Sequence, residues 1–236
     1  MTEPGIRAVD LSDGCTACYA EADLALLAGD VAAVPDELVV SALSEPSDHW
    51  KPEQWRFLFR RFTPRLPALV RAGAHDEALL LRGFGRWFAD LASWPADERR
   101  EVEAVLADVL REALATRPAD DVVRLLGGLA CVDDDIRPWL ARLDANQAEA
   151  GIVRLASHWA VSLLWGEDDW FAWWYPDDPV TPVREWTLSA RPVVAAFAAR
   201  HPDCKTARDG LIAYDRLARG MESPWFYPGR PGLPLA

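Results

Sequence analysis

Cys15-Thr16-Ala17-Cys18 is the one pair of thiols in the chain spaced closely enough to share an ion or a covalent bond. Two cysteines three residues apart supply half of a tetrahedral zinc site through their thiolates, or cycle between dithiol and disulfide. A helix running from about Cys15 to Ala28 would set the pair at the positive end of a helix dipole, which favours thiolate. Zinc needs further ligands, and no second Cys-x-x-Cys or paired histidine follows. Cys131, Cys204, His49, His75, His158 and His201 are isolated along the chain, so any complete site has to be assembled by the fold. The plainer reading of Cys15 and Cys18 is two reduced, partly buried thiols.

A second cluster runs from Trp165 to Asp178. Trp165, Trp170, Trp173, Trp174 and Tyr175, with Phe171 among them, alternate with Glu167, Asp168, Asp169, Asp177 and Asp178. Aromatic faces attract cations, and flanking carboxylates add Coulomb attraction. The segment therefore predicts a contact surface for a basic protein partner or a small cationic ligand, with aromatics as its anchors. The competing reading is a short helix whose aromatics plug the end of a bundle while its acids face solvent. Twelve tryptophans make that packing role general in this chain.

Other patterns fail on inspection. The aspartate-rich motif of isoprenoid enzymes reads Asp-Asp-x-x-Asp, and both Asp168-Asp169-Trp170-Phe171-Ala172 and Asp133-Asp134-Asp135-Ile136-Arg137 miss its last position. Asp133–Asp135 reads instead as a turn that caps the next helix. His75-Asp76, with His49 upstream, formally matches part of a helical phosphohydrolase set, but its surroundings read as a loop and helix start. His158, four residues after Arg154, is a candidate general base or, more simply, a hydrogen-bonded core residue. No phosphate-binding glycine loop, nucleophile elbow or His-Glu-x-x-His pattern is present.

The elements that would position these groups are helices. From Pro95 to Arg117 apolar side chains recur at Val102, Val105, Leu106, Val109, Leu110, Ala113 and Leu114, with charge largely opposite. Trp55, Leu58, Phe59, Phe62 and Leu66 form a stripe that Pro64 should kink or split. Leu80, Phe84, Trp87, Phe88 and Leu91 predict a helix ending near Pro95, with Gly83 and Gly85 as a close-packing pair inside it. Val122, Leu125, Leu126 and Leu129 predict another, stopping at Asp133. Gln147 to Trp165 is apolar nearly all round, which suits a central helix. Two more are predicted at about Val183–Arg200, interrupted by Pro192, and at about Lys205–Arg219. Strand-like alternation is almost absent. The expectation is an all-α array of roughly eight to ten helices, either a globular bundle or a short HEAT-like solenoid, forming one domain over 1–220. An extended tail at 221–236, rich in proline and carrying Trp225, Phe226 and Tyr227, should pack on it.

Half of the 236 residues are hydrophobic and 26% are charged, ample for a core without disulfides. A net charge of −12 excludes general attraction to nucleic acid or anionic membranes. Lys51 and Lys205 are the two lysines among 25 basic residues, a coding bias that makes the charge a weak clue. No signal peptide or membrane-spanning run is visible, and four scattered cysteines suit a reducing cytoplasm. Two functional expectations follow. The first is a non-enzymatic helical protein binding through 165–178, with no cofactor. The alternative is a metal-dependent or thiol-redox protein built on Cys15 and Cys18, with zinc as the ion, or on the acidic clusters.

Overall fold

The periodic stripes become helices in the computed structural model, which describes residues 9–12, 14–46, 48–72, 77–143, 145–165 and 180–221. In chain order these are α1 (Glu21–Ala28), α2 (Asp36–Ser44), α3 (Pro52–Phe62), α4 (Leu66–Arg71), α5 (Glu77–Arg82), α6 (Ala96–Thr116), α7 (Ala119–Asp133), α8 (Arg137–Leu140), α9 (Ala145–Trp165), α10 (Val180–Arg200) and α11 (Lys205–Leu217). No strand occurs among the described residues, so the all-α expectation holds. No helix there is long and apolar enough to cross a membrane. The tail from residue 222 onward lies outside the described residues.

Two compact units divide the chain. The first comprises Met1–Val109 with Gly128–Asp135, the second Leu110–Gly127 with Ile136–Ala236. In the first unit α3 carries Trp55, Leu58, Phe59 and Phe62 on one face, all buried. Pro64 splits the stripe as expected: α3 stops at Phe62, a single 3-10 turn covers Thr63–Arg65, and α4 resumes at Leu66. The aromatics pack edge to face, Trp55 against Phe88 at 5.1 Å and Phe59 against Phe84 at 5.0 Å between ring centres.

Three expectations need correction in this unit. The helix from Leu80 toward Pro95 ends at Arg82, and turns carry the chain through Gly83–Ala89 to a 3-10 turn at Leu91–Ser93. Gly83 and Gly85 lie just beyond that end, where the chain makes close contacts. A methyl group on Gly83 would lie 2.0 Å from the Phe59 ring, and one on Gly85 would lie 2.7 Å from the Cys131 carbonyl oxygen. The glycines are indeed a close-packing pair, but in a turn, and Trp87 is left 70% exposed there. Second, Cys15–Tyr19 is a turn, not the start of a helix; α1 begins only at Glu21. Third, Val105 on α6 is exposed although it falls on the predicted stripe. Helix α2 is not among those the periodicity predicts, because its buried residues Val39, Ala42 and Leu43 span little more than one turn.

The second unit is built on α9, which is apolar nearly all round as predicted. Ile152, Val153, Leu155, Ala156, Trp159, Ala160, Leu163 and Leu164 are all buried. Helices α10 and α11 pack on it, with Val194, Ala207, Ala213, Tyr214 and Leu217 filling the space between. The Tyr214 hydroxyl donates to the Thr187 carbonyl at 2.8 Å. Pro192 does not interrupt α10. It and Leu188, whose carbonyl loses a donor, both lie on the exposed side, where solvent satisfies the loss. The turn at Asp133–Asp135 forms, with Asp134 at φ 53°, and the residue preceding α8 is Ile136, whose side chain makes no capping hydrogen bond.

Gly151 gives this unit a sharp test. A methyl group there would sit 2.1 Å from the Leu114 carbonyl oxygen, which also accepts a 2.7 Å hydrogen bond from the Arg154 guanidinium. Alanine is intrinsically the better helix former by about 1 kcal/mol. The clash is with backbone that cannot step aside, at a cost of about 1–3 kcal/mol or more. Gly151→Ala is therefore expected to lower the midpoint of urea unfolding; a rise would mean that α9 can shift away from Leu114 freely.

Candidate metal centre

The turn that carries the two cysteines is held from three sides. Within it, the Cys18 and Tyr19 amides both donate to the Cys15 carbonyl at 3.0 Å. Before it, Gly14 lies against Trp50 so closely that a methyl group would meet the indole at 2.4 Å. After it, the buried Tyr19 ring packs on Trp50 with 5.3 Å between centres. Trp50 is itself fixed, its indole N–H donating to the Ala42 carbonyl at 3.0 Å. These contacts bring the turn alongside the short link after α2, where Glu45 and His49 stand four residues apart.

At that junction Cys15 and Cys18 are reduced, their sulfurs 2.9 Å apart and hydrogen-bonded to each other. Cys18 Sγ is 3.3 Å from Nδ1 of His49. The two sulfurs and the imidazole nitrogen all lie within 4.8 Å of one another. Around zinc at ordinary bond lengths, tetrahedral geometry separates two sulfurs by about 3.8 Å and a sulfur from a nitrogen by about 3.5 Å. The Cys18–His49 separation is close to that spacing, and the thiol pair is tighter than it. Cys18 is exposed, while Cys15 and His49 are half-buried, so an ion has a direct approach.

The electrostatics of the turn differ from the expectation. A thiolate-favouring helix N-terminus is not what Cys18 experiences. Its thiol is pushed up to about 11, chiefly because the hydrogen bond with Cys15 favours the protonated form, and further by desolvation and by the charges of Cys15 and Glu45. The Tyr19 hydroxyl is also pushed well above its usual value, first by burial, and donates to Glu45 Oε1 at 2.7 Å.

The remaining candidates fall elsewhere. Trp165 is half-buried at the end of α9, while Glu167, Asp168, Asp169, Trp170, Trp173, Trp174, Tyr175, Asp177 and Asp178 lie outside the described residues, as do His75 and Asp76. His158 is partly exposed, with Nε2 3.4 Å from an Asp120 carboxylate oxygen, rather than a fully buried core residue. Cys131 is buried, and Cys204 is the residue preceding α11. His49 and Glu45 are the residues that reading the sequence did not attach to the cysteines; their own i, i+4 spacing was the available signal. Comparison with protein-family models, with curated proteins and with solved structures finds no match for this chain.

Proposed function

We propose that this is a helical metal-binding protein that holds one divalent ion of the zinc class through Cys15, Cys18 and His49. The observation that carries the reading is the convergence of two sulfurs and one imidazole nitrogen, from segments some thirty residues apart, within 4.8 Å. Thiolate and imidazole together select zinc, and related borderline ions, over magnesium or calcium, which take oxygen. The raised pKa of Cys18 means that an incoming cation has to displace its proton, and it counts equally against a ready thiolate nucleophile.

Native mass spectrometry of the purified chain, loaded with zinc and exchanged into volatile buffer, tests the proposal. One zinc per chain is expected for the wild type and for Cys131→Ser, with the ion lost in Cys15→Ser and in His49→Ala. Zinc retained at wild-type level in both of those variants would overturn the assignment.

A further inference from the structure

Three protein donors leave a fourth tetrahedral position to be filled either by the chain or by solvent, and that choice separates closed structural sites from open reactive ones. We propose, building on the metal site above, that Glu45 fills it through Oε2, giving a closed two-cysteine, one-histidine, one-glutamate centre.

The geometry runs as follows. His49 Nδ1 faces two groups at once, Cys18 Sγ at 3.3 Å and Glu45 Oε2 at 2.9 Å. With zinc bonds of ordinary length, a nitrogen and an oxygen on adjacent corners of the tetrahedron stand about 3.3 Å apart. The carboxylate therefore already stands at close to a ligand-like spacing from the imidazole, although it lies outside the 4.8 Å cluster of the two sulfurs and Nδ1, so metal binding has to draw it inward. A cation bound at Nδ1 would place a divalent charge beside Oε2, and Coulomb attraction would draw the carboxylate in.

The other oxygen explains why the group is aimed this way. Oε1 accepts the Tyr19 hydroxyl proton at 2.7 Å, and that hydroxyl also lies 3.1 Å from Ser41 Oγ. Tyr19 cannot swing away, because its ring is buried against Trp50. This is the arrangement by which outer partners orient a metal-binding carboxylate. Tyr19 is accordingly a positioning residue, and Glu45 a ligand.

Cobalt(II) substitution tests the fourth position with a readout that a merely orienting role of Glu45 would not move. Cobalt(II) chloride added to the metal-free wild type is expected to give sulfur-to-cobalt charge transfer and intense visible bands of a tetrahedral ion. Adding thiocyanate should leave those bands unchanged in the wild type and shift them in Glu45→Ala, where the position is open. Glu45→Gln, which keeps the size and the contact with Tyr19, guards against a folding artefact and should also admit thiocyanate. Zinc affinity should fall more than about tenfold in both variants. Thiocyanate shifting the wild-type bands as far as those of the variants would show the position already open and would overturn the assignment of Glu45 alone. Absence of sulfur-to-cobalt charge transfer in the wild type would overturn the metal site itself.

Discussion

Zinc affinity of the wild-type chain is expected to tighten at least about tenfold for each pH unit between about 6 and 8. Throughout that window the Cys18 thiol, held up at about 11 by its hydrogen bond with Cys15, carries its proton. Metal binding must expel that proton, so every unit rise in pH removes a tenfold excess of the competitor. The direction is fixed by the sign of the shift: a thiol with a depressed pKa would already be ionised, and its contribution to the slope would vanish. Competition against a chromophoric chelator at constant ionic strength gives the slope directly. A flat profile would remove Cys18 from the ligand set. Mass action then carries the effect into folding, since zinc at one hundred times its dissociation constant adds about 2.7 kcal/mol to the stability of the unit that binds it.

Trp159→Ala is expected to destabilise the second unit by about 3–5 kcal/mol. Trp159 is wholly buried on α9, and its ring meets Trp186 of α10 edge to face at 5.3 Å. Truncation removes the largest buried side chain on the central helix and that aromatic contact together. The cost depends on how far the surrounding side chains can collapse into the cavity left behind. Urea unfolding followed by far-ultraviolet circular dichroism reads the loss. A change below about 1 kcal/mol would mean that the helices close over the gap.

What could be read from the chain alone divides along a physical line. Helix α6 was legible because a long stripe repeats the same information over five turns and its ends carry the breakers Pro95 and Pro118, and α9 because its apolar run is long. The end of α5 was not, since Phe84, Trp87 and Phe88 continue the period while Gly83 and Gly85 are claimed by contacts with Phe59 and Cys131, which no local pattern encodes. The same holds at the candidate site. Cys15 and Cys18 advertise themselves by spacing. His49 and Glu45 join them only because Gly14 and Tyr19 dock on Trp50, a tertiary event invisible to periodicity. The turn containing the cysteines precedes α1, which begins at Glu21, and no proline or side-chain cap from Ala20 marks that start.

Cys131 turns the close fit of Gly85 into a usable reporter. Its side chain is 5% exposed, and the backbone at this residue stands against Gly85, whereas Cys18 is open to solvent. A thiol reagent therefore meets two populations in one chain: sulfurs it can reach directly, and a sulfur that waits for the first unit to open. With Cys15, Cys18 and Cys204 replaced by serine, the slow labelling rate of the remaining thiol measures how often that unit opens under native conditions. The internal clock is a native side chain, and it runs without denaturant.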